Sequence, residues 1–201
     1  MVPELSQPMV ITELHHNPPY PDRILSESDE MGQVRSPGLH LSQIYRDMAH
    51  TINPREPLGE EDLAFYGAGG FLWERLWSMA HRDAILSGTI IRPGEFSLDG
   101  VAGSPDALDL DNGLVVELKC RWMSSKKFDH LEKYFYFELL QVKCYLAMTG
   151  FTEAEFTVFF VCGDWRPPIP CVRSAKLSFT EREIQEAWQQ VYRHGKNRGW
   201  L

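Results

Sequence analysis

Apolar residues recur with a helical period over 40–51, HLSQIYRDMAHT, which predicts a short helix with Ser42 near its N-cap. Residues 59–86 keep that period through a glycine-rich waist and predict a long helix. The pattern then changes. TIIRP at 89–93 reads as a short strand, a turn follows at Pro93-Gly94, and the strand-like run from Phe96 to Leu110 should be bent by its glycines and Pro105. Asn112-Gly113 is a two-residue hairpin signal leading into the strand LVVELKCRW at 114–122. Residues 128–150 return to the helical period and end at a C-cap glycine. AEFTVFFVCG at 154–163 and PCVRSAKLSF at 170–179 read as strands, and Thr180 caps a last amphipathic helix in which Glu183 completes a capping box. The order predicts an α/β fold, with a central mixed sheet flanked by helices.

Residues 1–37 hold neither period and are rich in Pro, Ser and acidic residues, so they read as an N-terminal arm or extended wrap, leaving 38–201 as a single domain. His15-His16 within the arm are adjacent and do not converge easily on one ion. The chain has 201 residues, 43% hydrophobic and 24% charged, enough for one ordinary core. Its apolar runs are too short to span a bilayer and no cleavable signal pattern opens it, which predicts a cytoplasmic protein without a membrane partner. The cysteines at 120, 144, 162 and 171 form no C-x-x-C pair and are scattered, which predicts free, mostly buried thiols rather than a zinc or iron–sulfur site. A net charge of −8 counts against passive coating of DNA but leaves room for a local basic channel beside a carboxylate metal site.

Candidate chemistry concentrates around the hairpin. With a two-residue loop, Asp106 lies opposite Lys119 and Leu108 opposite Glu117, so Asp106, Glu117 and Lys119 share one face. Val116, Leu118 and Cys120 then point into the core. Asp106 and Glu117 become diagonal neighbours, and two such carboxylates suit a hard cation, Mg²⁺ or Mn²⁺. Lys119 is then placed beside the attacking water. The same charges also suit a cross-strand Asp106–Lys119 ion pair with Glu117 solvated.

SPD, ten residues, then ELK resembles the signature of the PD-(D/E)XK nuclease superfamily, in which Asp/Glu-x-Lys follows an apolar run, here Val115-Val116. Glu74 in GFLWERLW is similar to the glutamate that the superfamily carries on the helix ahead of these strands; the alternative is an ordinary helix-surface pair. Gln141 and Tyr145, four apart on one helix face, resemble the Gln-x-x-x-Tyr of the RecB-like and lambda-exonuclease-like branch, and also suit a face of mixed polarity. Arg35 and Ser42 are similar to the pair that holds a 5′-phosphate in lambda-type enzymes, although Ser42 is equally a plain N-cap. Arg121, Lys126, Lys127 and Lys133, interleaved with Trp122, Phe128, Tyr134 and Tyr136, suit a single strand or frayed end, or else a solvated loop over core aromatics. Asp99 in SLDG is either an outer metal ligand or a turn residue.

The resemblance implies a restriction-endonuclease-like core and a Mg²⁺- or Mn²⁺-dependent deoxyribonuclease, most like the viral recombination exonucleases. Asp106, Glu117 and Glu74 would hold metal, Lys119 would orient or activate water, and Gln141 would position it. Tyr145, Arg35, Ser42, Arg121, Lys126 and Lys127 would contact DNA. It further implies a homo-oligomer, a recombination partner such as a single-strand annealing protein, and, for a viral protein, the cytoplasm of a bacterial host. The alternatives are a metal-dependent endonuclease, a nuclease-fold protein that binds DNA ends or a partner without cutting, and a hydrolase of small phosphate esters.

Overall fold

The computed structural model describes residues 38–54, 56, 59–167 and 169–201. The arm at 1–37, with His15-His16 and Arg35, lies outside the described residues.

The helical periods become helices whose ends are set by local chemistry. A two-residue strand β1 (Leu39–His40) leads into α1 (Leu41–Ile52), which buries Leu41, Ile44 and Met48. Its N-cap is His40, so Ser42 sits inside the first turn rather than capping it. The predicted long helix is two, α2 (Glu60–Ala80) and α3 (Arg82–Ser87). The break falls at His81, whose Nδ1 meets the Trp77 carbonyl at 2.9 Å and whose ring stacks on Trp77, while Gly88 ends α3 at φ 82°.

The bent run resolves into separate strands. After β2 (Ile90–Ile91) come β3 (Phe96–Leu98), β4 (Val101–Gly103) and β5 (Ala107–Asp109). Asp99 has φ 49° and Gly100 φ 81°, and that left-handed turn folds β3 onto β4. Asp99 also accepts a hydrogen bond from Trp188 Nε1 at 2.8 Å, so the turn-residue reading of Asp99 is the one observed.

The next strand is β6 (Leu114–Arg121), and a 3₁₀ turn (Ser125–His130) follows it. The predicted helix 128–150 is therefore broken into this turn, α4 (Leu131–Tyr134) and α5 (Tyr136–Thr149), which ends at Gly150 with φ 78°. Strands β7 (Glu153–Phe160) and β8 (Cys171–Ser178) precede α6 (Glu181–Asn197). The capping box on α6 is present as expected: Thr180 Oγ1 accepts from Glu183 N at 3.3 Å, and Glu183 Oε2 accepts from Thr180 N at 2.8 Å.

Two mixed sheets result, β1-β4-β3 and β2-β5-β6-β7-β8. In the larger one β6 and β7 are parallel and the other pairs antiparallel. Both faces of β6 are covered. Val115 belongs to the main core with Leu140, Phe156 and Trp188, while Val116 and Leu118 pack with Trp73, Trp77 and Ala107 in a second cluster. The face carrying Glu117 is thus not the open face expected of a half-buried strand.

The hairpin register also differs. Ala107 pairs with Val116 and Leu108 with Val115, a shift of two from the predicted pairing. The loop is longer because Asp109 closes it, Oδ1 accepting from Asn112 N at 3.0 Å and Oδ2 from Asn112 Nδ2 at 2.8 Å. A shift of two preserves the alternation of side chains, so the predicted face survives the wrong register.

The four cysteines are free, but only Cys144 is buried and the others are half-buried. Among the described residues no helix is long and apolar enough to cross a membrane.

Candidate active site

The central strand brings an acid and a base together. Glu117 and Lys119 are two residues apart on β6 and form an ion pair, with Glu117 only 1% exposed and Lys119 16%. Asp106 lies just before β5, and its Oδ2 accepts a hydrogen bond from Leu118 N at 2.7 Å, so the main chain of β6 anchors it beside that pair. The expected trio is therefore assembled, but Lys119 pairs with Glu117 rather than with Asp106.

Burial dominates the electrostatics. It pushes the Asp106 carboxyl well above its ordinary range, and the Glu117 and Glu74 carboxylates push further in the same direction. Burial likewise raises Glu117, against the opposing pull of Lys119. For Lys119, burial pulls the ammonium down, but the Glu117 and Asp106 carboxylates outweigh it and the net shift is upward. The ion pair with Glu117 thus favours the protonated form of Lys119.

Helix α5 supplies the opposite wall. Gln141 and Tyr145 are buried, and Gln141 Nε2 donates to Tyr145 Oη at 2.8 Å. Room for that ring comes from Gly103 on β4, where an added Cβ would stand 3.0 Å from Tyr145 Cε1. Burial, followed by Glu117 and Asp106, raises the Tyr145 phenol well above its ordinary value, so it keeps a proton to donate.

Two acceptors remain open: Glu117 Oε2 and Gln141 Oε1 are buried and lack a hydrogen-bond partner among the described residues. Such orphaned oxygens are costly unless a donor or cation meets them. Oxygen donors from Asp106 and Glu117 fit a hard cation. Glu74 on α2 is held by Arg92 Nη2 at 2.7 Å, and no group of three His, Cys, Asp or Glu side chains among the described residues is gathered to hold one ion. The expected three-carboxylate set is thus two carboxylates with Glu74 nearby.

The flanking cations are less open than expected. Arg121 pairs with Glu138, Lys126 with Asp164 at 2.6 Å, and Lys127 lies 5.1 Å over the Tyr134 ring. Phe128 is core, whereas Trp122 is 41% exposed and meets the exposed Phe65 ring at 5.2 Å.

Three neighbours of the trio escaped the sequence reading. Arg92, the Glu74 partner, could have been noticed as a lone cation closing an apolar strand. Glu138 stands one helical turn before Gln141 and bears on the charge of Glu117. Tyr45 shares a face of α1 with Ser42 and acts on both Lys119 and Tyr145. A cavity of about 640 Å³ opens elsewhere, against α6 and Met48, and contains none of these residues.

No protein-family model and no curated protein matches the chain. Solved structures do. A phage-related exonuclease from Haemophilus somnus is similar with a TM-score of 0.50 at 11% identity, over 78% of this chain and 79% of that one. An alkaline exonuclease from Laribacter hongkongensis is similar with a TM-score of 0.48 at 17% identity, over 80% and 87%. At such identities the likeness is one of architecture alone: the chain shares its mixed α/β fold with a phage-related exonuclease.

Proposed function

We propose that the protein is a divalent-cation-dependent deoxyribonuclease that degrades linear DNA from an end. The observation that carries this reading is the ion pair of buried Glu117 with half-buried Lys119, with Asp106 anchored beside it and an unpartnered Glu117 oxygen. A trio with Glu117 almost wholly buried and Asp106 and Lys119 half-buried beside it costs stability and is hard to explain as a structural ion pair. The exonuclease fold neighbour makes phosphodiester hydrolysis the first chemistry to test.

Asp106 and Glu117 would hold Mg²⁺ or Mn²⁺, which would supply charge neutralisation at the reacting phosphate. The chain's own groups divide the remaining work. Lys119, held protonated, acts as a donor rather than as a base: it orients the attacking water and offsets negative charge on the phosphorane-like transition state. Gln141 Oε1 is an acceptor free to take a hydrogen bond from the attacking water and so to orient it. Its amide fixes Tyr145, whose phenol can donate to a phosphate oxygen. Water adds to phosphorus as the bond to the leaving 3′-oxygen breaks; the attacking water gives up its proton to solvent, and solvent protonates the leaving oxygen. Ser42 and Tyr45, on one face of α1, would contact the strand.

The test compares closed circular plasmid with the same DNA linearised, in Mg²⁺ and in EDTA. Loss of the linear form only, in Mg²⁺ only, is expected. Nicking of the closed circle keeps the site but assigns an endonuclease. No change in either form favours a non-cutting DNA-end binder.

A further inference from the structure

Arg121 and Glu138 close the open end of two matched rows. On β6, Glu117, Lys119 and Arg121 alternate onto one face at about 6–7 Å intervals. On α5, Tyr145, Gln141 and Glu138 follow one another at helical spacing. Tyr145 feels the charges of Glu117 and Asp106, so it marks the trio's end of the row. At the other end Arg121 Nη2 donates to Glu138 Oε1, and Nη1 donates to the Cys120 carbonyl at 3.0 Å. Two acceptors on different elements thus fix the guanidinium plane. A guanidinium has more donors than these bonds use. The side chain is 30% exposed and Glu138 18%, so the pair is seated in the protein without being closed over.

We infer that this clamped guanidinium is a subsite for a phosphate group next to the scissile one, and that Glu138 is the positioning residue that holds it there. The inference rests on the nuclease reading of the neighbouring trio. Three physical points support it. The planar fork of arginine matches phosphate oxygens, which a lysine ammonium cannot do. A side chain already fixed loses little freedom when the phosphate arrives. And Arg121 lies one strand repeat beyond Lys119, on the same face, where a neighbouring phosphate of a bound strand would fall. The other flanking cations lack this build: Lys126 is 74% exposed, and Lys127 is spread over a tyrosine ring.

The experiment measures binding of a fluorescein-labelled DNA oligonucleotide in EDTA across a salt series, and steady-state cleavage in Mg²⁺. Arg121→Ala is expected to weaken binding roughly tenfold, the size of one charge-assisted contact, and to flatten the salt slope by about 0.7–0.9. In cleavage the loss falls on KM more than on kcat. Arg121→Lys should restore the salt slope without restoring affinity, because it keeps the charge and loses the fork. Glu138→Gln should weaken binding roughly threefold in the parent, by freeing the guanidinium, and have no effect in the Arg121→Ala background. Tighter binding by Glu138→Gln overturns the inference, since Glu138 would then be competing with phosphate for Arg121. So does a lower Tm in these variants with no change in salt slope, the mark of a purely structural pair. Cleavage by the parent with Arg121→Ala indistinguishable from it overturns the subsite alone. Absence of both binding and cleavage of DNA by the parent overturns it together with the nuclease reading.

Discussion

Replacing Lys119 with alanine is expected to lower single-turnover DNA cleavage by about 10²–10⁴-fold, the range for a group that assists proton movement or meets developing charge. Lys119 sits in the middle of β6, paired with a carboxylate that is almost wholly buried. Its ammonium is held above the ordinary lysine range by Glu117 and Asp106 despite burial. A role as general base would need the neutral amine, which this arrangement disfavours. The pH profile of the parent should therefore show no limb belonging to a lysine below about pH 10. A rising limb near neutral pH that disappears in Lys119→Ala would assign Lys119 the base role instead. Retained cleavage in Lys119→Ala would remove the residue from the chemistry altogether.

Asp106→Asn should abolish cleavage and at the same time stabilise the cation-free protein. Burial, then Glu117 and Glu74, raise the native Asp106 carboxyl well above its ordinary value. The native state therefore holds this proton more tightly than the unfolded chain does. Below about pH 4 both states are protonated and the group is neutral to stability. As pH rises from there through the raised native value, the native state must surrender the proton or carry a buried charge, and stability falls. Asparagine removes that penalty and its side-chain oxygen can still accept from Leu118 N. A gain in stability at pH 7 is therefore expected, read as a rise in Tm over the parent. Mn²⁺ should raise the Tm of the parent and leave Asp106→Asn unmoved. Thermal melts from pH 4 to 8 test this. A variant less stable than the parent at pH 7 without cation would mean that the Asp106 carboxylate stabilises the fold.

The elements that the sequence predicted well are those with their own local signals. Thr180 and Glu183 specify the start of α6 by themselves, and Gly150 specifies the end of α5. The failures lie where a side chain changed the local outcome. Asp109 lengthened the hairpin by capping it, and His81 divided a continuous apolar period. The trio was legible despite the register error because strand alternation repeats every two residues. Its pairing was not: a cross-strand rule favours Asp106 with Lys119, whereas Lys119 pairs with Glu117 of its own strand. Arg92 and Glu138 were missed because each neutralises a charge from an element far away in sequence. Periodicity carries no information about such partners. It also misjudged burial, since α2 and α5 cover both faces of β6.

The most direct measurement follows linear DNA, 5′-phosphorylated and labelled at one end, with Mg²⁺ and either the parent protein or Glu117→Ala. Progressive loss of the DNA with the parent, stopped by EDTA and absent with Glu117→Ala, is the predicted result. No degradation by the parent in Mg²⁺ or Mn²⁺, on duplex or single strands, or equal degradation by Glu117→Ala, contradicts it.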